Sequence, residues 1–536
     1  AVEDPVPILL WDADAVIADL HPDLRLCGAG GDGDVSAVGR IFDGIADDVH
    51  HHLLQPAPVP HDQGQALRRS IGQRVPVLLG GQGIGTGDAL NGVPERKAGE
   101  HQLRIARIQA AEGQQILNLE HHAVLPGFID CHMHTGDCIL RGLAQDTGYW
   151  MMYGLQPFMN GSNDTQREAG SRLAIVEALK SGTTTLGDYE SNMEPVCRFI
   201  QKVGARGNIT STIREAKRRT YAPGELYEFD EAMGEKSLQA NLELYDRWHN
   251  KADGRIRILF GPQGVDFVSP DLLKRVYALA QERKTKVHMH VQQGDRETYQ
   301  IVKRYGKRPI GFLAEMGLLN STLMAVHLTD ANDEEAEQVA RSGASMLLCS
   351  GSIGIIDGIV PPAKAFQDAG GVVGLGSDQA PGNNCHNIIN EMKLTALFNK
   401  IKYCDPEIMP AWKTLRMATI DGARAIGMDD LVGSLEEGKR ADFIAVDLTK
   451  PTMAPIFTNP MRNIVPNLVY SARGEEISLV AVDGKVLVQN GEILTVDERE
   501  IVAEAQSFTD EIGNASSQEF WEIHGTNAVF MEENKL

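Results

Sequence analysis

The sequence predicts an α/β protein: a parallel barrel of strand–helix units, followed by a small domain of short strands. Three observations predict it. From Val124 to about Asp430, short apolar runs alternate with segments of helical period. The runs are ITSTI, IRILFGP, TKVHMHV, LMAVHL, SMLLCS and GVVGLGSD. Between them lie SRLAIVEALKSG, SPDLLKRVYALAQERK and NDEEAEQVARSG, the last opening on Asn332 as an N-cap and ending at a glycine. Repetition of such units over about 300 residues is the pattern of a parallel barrel. A doubly wound sheet is the alternative, but its first-turn glycine signature is missing. After Gly433 the pattern shortens, and VDGKVLVQNGEI alternates apolar residues around D-G and N-G turns, a strong hairpin signal.

The N-terminal side is harder to read. The first 70 residues mix Asp, Gly, Pro and His without a sustained period, and their HHH triplet (His50 to His52) reads as a solvated loop. LLGGQGIGTGDALNG, Leu78 to Gly92, contains G-x-G, but neither a flanking strand and helix nor a following acid supports a dinucleotide site. It reads as turns between short strands.

Composition narrows the function classes. With 536 residues, 42% apolar and 23% charged, the chain has the profile of a soluble globular protein with a large core. A net charge of −22 repels phosphate backbones and anionic lipid, which argues against nucleic-acid and membrane partners. No apolar run approaches the roughly 20 residues of a membrane span. The opening AVEDPVPILLWDADAV carries early acids and no basic region, unlike a secretory signal. Seven scattered cysteines without C-x-x-C spacing argue against a disulfide framework and make the cytoplasm the default location.

Barrel enzymes carry their chemistry at the C-terminal ends of the strands. The first predicted strand, in LPGFIDCHMHTGD, ends in His132 and His134, which share one face of an extended chain. A middle strand, KTKVHMHVQQ, presents His288 and His290 in the same way. LMAVHLTD ends in His327 and GVVGLGSDQA in Asp378. Any one of these has a bland reading: H-x-H arises by chance among sixteen histidines, and Asp378 could cap the helix that follows. Four strand ends in order within one periodic region point instead to a metal site. Imidazoles with one carboxylate suit Zn²⁺ or a similar first-row ion.

These residues are similar to the amidohydrolase superfamily, in its branch of chlorohydrolases, guanine deaminases and S-adenosylhomocysteine deaminases. The motifs that carry the resemblance are LPGFIDCHMH (Leu125 to His134), LRGLAQD (Leu140 to Asp146), SGTTTLGD (Ser181 to Asp188), GLGSDQAPGNN (Gly374 to Asn384) and GSLEEGKRADFIAVD (Gly433 to Asp447). It covers about Leu103 to Val502. It implies a distorted (β/α)8 TIM barrel over 125–432 and a small β-sandwich built from both chain ends, 71–124 with 433–496. Residues 1–70 remain an unassigned extension, and 497–536 a helical segment and tail. His132, His134, His290 and Asp378 become the ligands of one divalent ion, Zn first, with Fe, Co or Mn as alternatives. Asp378, helped by His327, accepts the proton of an ion-activated water that attacks an electrophilic carbon. His288 faces inward beside the ligands. Arg141, Trp150, Tyr189, Arg214 and Glu215, just beyond strand ends, are candidates for shaping the pocket, with packing or surface roles equally compatible. Lys217 raises the alternative of a carbamylated lysine bridging two ions. The implied partners are a small-molecule substrate and further copies of the chain, as a dimer or larger.

Three departures from the family pattern matter. In H-x-x-E-T-x-x-E the first Glu protonates a substrate ring nitrogen; here HVQQGDRE puts Gln293 there, which donates a hydrogen bond but supplies no proton. Asp295 and Glu297 are the nearby acids. LLCSGSIGIIDG lacks the His and Asn of H-x-P-x-S-N, and the segment before Leu103 has no clear match to the family's opening strands. Because a carbonyl is polarised directly by a metal whereas a ring amidine needs protonation, Gln293 shifts the expectation toward amides, ureas and carbamates. Deamination or dechlorination of a purine, pterin or triazine ring is the alternative. A catalytically dead binding protein on the same fold and a nicotinamide oxidoreductase using GGQGIGTG are further alternatives.

Overall fold

A computed structural model describes residues 115–536 and two short strands before them, Ile8–Trp11 (β1) and Arg25–Cys27 (β2). The HHH triplet and the GGQGIGTG stretch lie outside the described residues. The chain divides into two compact units. In the first, β1 lies between β2 and Gln115–Asn118 (β3), all parallel. The second holds the barrel and a separate small sheet.

The barrel strands are Phe128–His134 (β5), Thr183–Glu190 (β6), Arg206–Ile213 (β7), Ile256–Pro262 (β8), Val287–Val291 (β9), Leu323–His327 (β10), Ser345–Leu348 (β11), Val373–Leu375 (β12) and Asp378–Gln379 (β13). All pair in parallel in the order β12-β11-β10-β9-β8-β7-β6-β5-β13. The last two are one stretch of chain. β12 pairs with β11; two residues later β13 pairs with β5, so this segment hands the sheet back to its first strand and closes it. The result is a distorted TIM barrel. Gly376, at the hand-over, makes the closure possible: a Cβ there would lie 2.7 Å from the His132 carbonyl oxygen.

Local signals account for the connecting helices. Asn332 caps Asp333–Arg341 in a capping box with Glu335, and Gly343 follows at φ 82°. Ser269 caps Pro270–Glu282, and Asn163 caps Asp164–Lys180. Asp378 caps nothing: the helix downstream, Ile388–Tyr403, is capped by Asn387. No helix among the described residues is long and apolar enough to cross a membrane.

The separate sheet is antiparallel and draws on both sides of the barrel sequence. His122–Pro126 (β4) pairs with Phe443–Asp447 (β14), which continues through Ile477–Val482 (β15), Lys485–Gln489 (β16) and Glu492–Ile493 (β17). The D-G turn between β15 and β16 has φ 51° and 77° at its two central residues, as a tight hairpin of this hand requires. Beyond this sheet, residues 497–536 form three helices, Glu498–Ser507, Thr509–Ile523 and Thr526–Glu532.

Candidate metal centre

The ends of β5, β9, β10 and β13 converge. His132 Nε2 and His134 Nε2 each stand 3.5 Å from Asp378 Oδ1, and His134 Nε2 is 3.3 Å from His290 Nε2. His327 Nε2 lies 3.9 Å from the other Asp378 oxygen. All but His134 are fully or almost fully buried, and His134 is 14% exposed.

The hydrogen bonds behind the ring fix which atoms face inward. His134 Nδ1 donates to the Tyr189 carbonyl at 2.6 Å, and His290 Nδ1 to the Gln263 carbonyl at 2.5 Å. With both rings neutral, each Nε2 turns its lone pair toward the other across 3.3 Å, an arrangement that a shared cation would relieve. His132 Nδ1 bonds His288 Nε2 at 2.8 Å, and His288 Nδ1 bonds the Thr210 hydroxyl at 2.9 Å. That chain leaves His132 Nε2 buried without a partner, as is Asp378 Oδ1. Buried polar atoms without partners are costly, and a shared cation satisfies them together. The spacing agrees: donors about 2.1 Å from a tetrahedral ion stand about 3.4 Å apart. His132, His134, His290 and Asp378 thus fit a divalent cation.

Most of the protonation states suit that role; the exception is His134, where burial is outweighed by Asp378, Glu190, Asp137 and Asp188, which raise it, a bias that a bound cation would oppose. Burial drives His132 down to about 3 and His327 to about 4, so both are neutral near pH 7, as ligands and proton acceptors must be. Burial works against ionised Asp378, but the imidazoles of His132, His327 and His134 close around it hold its carboxyl well below the usual range. The Ser352 hydroxyl donates to Asp378 Oδ2. His327 and Asp378 sit at φ 75° and 59°, a backbone region that costs a residue with a Cβ on the order of 1 kcal/mol.

Next to the histidines opens a cleft of about 210 Å³. Its lining includes the apolar Met151, Met152, Leu155 and Met159, the charged Arg167, Glu190 and Arg218, and Gln293, with Arg167 in contact with the Met159 sulfur. Gln293 Nε2 is 3.2 Å from His327 Nε2, while its Oε1 faces Arg296 at 3.5 Å. The pocket candidates separate here. Arg214 lines the cleft, held by the Ala216 carbonyl at 2.6 Å and by Gln263 at 3.0 Å. Tyr189 is buried beside the imidazoles, its hydroxyl bound to the Gly261 carbonyl and its own carbonyl to His134. His288 stands behind His132. Arg141 pairs with Glu177 and Trp150 is buried with Leu140, Ala144 and Leu155; neither lines this cleft. Glu215 accepts from the Ser269 backbone, and Lys217 is half exposed and paired with Glu228.

Sequence reasoning missed the Arg167 guanidinium, held between Asp137 (2.7 Å) and Glu190 (2.8 Å) on the cleft wall. It also missed Ser352, Thr210 and Gln263, and Asp130, which accepts from the backbones of His132 (3.3 Å) and Ser377 (3.0 Å). Asp130 and Asp137 were within reach, since both stand in LPGFIDCHMHTGD. The others carry no local signal.

Known proteins place this architecture. Residues 123–487 match the amidohydrolase family. A 5-methylthioadenosine/S-adenosylhomocysteine deaminase of Desulforamulus reducens is 31% identical over 395 residues, 73% of this chain and 87% of its own. A 5'-deoxyadenosine deaminase of Methanobrevibacter smithii is 29% identical over 76% of this chain and 91% of its own. Among solved structures, a zinc-bound adenosine deaminase from Xanthomonas campestris superposes with a TM-score of 0.67 at 27% identity, covering 75% of this chain and 89% of the other. The chain belongs to the amidohydrolase family, and is a metal-dependent hydrolase of carbon–nitrogen bonds.

Proposed function

We propose that the protein is an aminohydrolase that removes an exocyclic amine from a ring substrate of the aminopurine nucleoside type, using one zinc ion. The observation that carries this is the cage of inward-facing Nε2 atoms and the free Asp378 Oδ1, opening onto the Met-lined cleft. The relatives named above, all deaminases of adenosine-type molecules, support the ring-amine alternative over the amide, urea or carbamate expectation drawn from Gln293.

His132, His134, His290 and Asp378 would hold the ion, which when bound acidifies a water and supplies a nucleophile at neutral pH. Asp378 keeps one oxygen on Ser352 and turns the other inward, where it can accept the water's proton and later return it to the departing amine. His327, neutral and within 3.9 Å of Asp378, is placed to help orient the water. Gln293 has its amide nitrogen toward this centre and can hold a ring acceptor in place. The methionines in the cleft lining offer polarisable surface to a flat ring. A small-molecule substrate, a cytoplasmic setting and assembly into a homo-oligomer complete the reading.

The test is ammonia release from adenosine and 5'-deoxyadenosine by zinc-loaded protein. Turnover is expected with these and not with phenylureas or carbamates. The reverse preference would overturn the reading.

A further inference from the structure

Hydrolysis of a ring amidine makes a demand that Gln293 cannot meet. As oxygen adds to the carbon, the C=N electron pair moves onto the ring nitrogen, which must receive a proton. Gln293 stands beside His327 but carries an amide.

The acids around it are mostly committed elsewhere. Asp295 is exposed. Glu297 is fully buried, with one oxygen on the Gln293 backbone N–H at 2.9 Å and only the other without a partner. Asp266 is buried and paired with Arg296. Asp330 accepts from Thr298 at 2.6 Å and pairs with Arg308.

Asp357 differs from all of them. It is half-buried, and among the described residues no hydrogen bond or ion pair engages its carboxylate. Its Oδ1 lies 3.4 Å from the point where a Cβ on Gly294 would stand, so it meets the chain one residue after Gln293. Gly294 leaves that space open. Asp357 ends the helix Ser350–Ile356, whose Ser352 bonds Asp378 at the centre. One short helix thus carries a residue that steadies the proton acceptor and, at its other end, an uncommitted acid against Gly294, the residue that follows Gln293.

We propose that Asp357 is the proton donor to the ring nitrogen of the substrate, an assignment that rests on the ring-amine reading above. The balance is complete. Asp378 takes one proton from the attacking water as the C–O bond forms, while Asp357 gives its proton to the ring nitrogen. The C–N bond to the amine then breaks as Asp378 passes its proton to the leaving nitrogen, releasing ammonia. The hydroxyl proton of the tetrahedral carbon returns to Asp357 as the carbonyl forms.

The surroundings keep the donor protonated where it is needed. Burial pushes Asp357 up to about 7; Arg296 opposes this, and Asp295, Asp378 and Asp330 add to it. A required acid with that value loses activity as pH rises through about 7.

The experiment measures ammonia release from adenosine by zinc-loaded wild type, D357N, D357E and the double variant Q293E/D357N, with zinc content by elemental analysis. If wild type releases no ammonia, the ring-amine reading itself fails. If it does, D357N is expected to lower kcat about 100-fold or more with zinc retained, and to lose the alkaline limb of the pH profile. Q293E/D357N, with an acid beside His327 instead, is expected to recover at least about tenfold. A D357N kcat within about threefold of wild type, an unaltered alkaline limb, or no recovery in the double variant would overturn the assignment. Should D357N fold poorly, D357E decides: with zinc retained its alkaline limb must shift, and an unshifted limb overturns the proposal.

Discussion

The two ends of the barrel treat buried charge in opposite ways. At the start of β7, Arg206 is 1% exposed and bidentate to Asp442, at 2.7 and 2.8 Å, with Asp483 at 3.1 Å. This cluster ties the barrel to the small sheet. At the other end, His132 Nε2, His327 Nδ1 and Asp378 Oδ1 are just as buried and have no partner. Buried charge is paired within the protein at one end and turned toward a cation at the other, and this contrast in charge separates the structural end from the chemical one.

Substitutions can break or sharpen this contrast. The largest effect is expected from Asp378→Asn, which removes the proton acceptor: kcat should fall about 10³- to 10⁴-fold, read as ammonia release at saturating substrate, with melting behaviour nearly unchanged. Arg206→Ala should do the converse, because Asp442 stays buried without its cation and Asp483 is left with Arg440 alone. Denaturant unfolding should show a loss of about 3–5 kcal/mol, while kcat of the folded fraction holds. If Arg206→Ala lowered kcat as Asp378→Asn does, the two ends would not be functionally distinct.

A smaller effect is expected from Thr210→Val, which leaves His288 Nδ1 without its partner and loosens the hold on His132. Zinc affinity, read by competition with a chelator, should drop about 10- to 100-fold. Unchanged affinity would show that the Thr210–His288–His132 chain does not position the ring. The smallest is Asn332→Ala, on a helix cap remote from this chemistry. It should cost about 1 kcal/mol of stability and nothing in kcat, which calibrates how purely structural changes read in both assays.

The metal half of the site was far more legible than the substrate half. His132, His134, His290, His327 and Asp378 lie on strands or at their ends, where a two-residue period and a C-terminal position can be read from the chain. Arg167 sits inside the helix Asp164–Lys180 and reaches the cleft only through its pairing with Asp137 and Glu190, from two other elements. Arg141 and Trp150 show the converse. Both follow strand β5 closely in sequence, yet one turns to Glu177 and the other into an apolar cluster.

The sequence by itself determined the periodic strand–helix order, the capped helix at Asn332, the D-G hairpin and the order of the histidines. Each of these is set by neighbours within a few residues, through side-chain alternation, capping or turn conformation. Tertiary structure alone decided that β13 returns to β5, that Ser352 and Thr210 steady Asp378 and His288, and that Asp357 stands against Gly294. Those pairings join residues tens to hundreds of positions apart, and their geometry depends on the barrel closing rather than on any local preference.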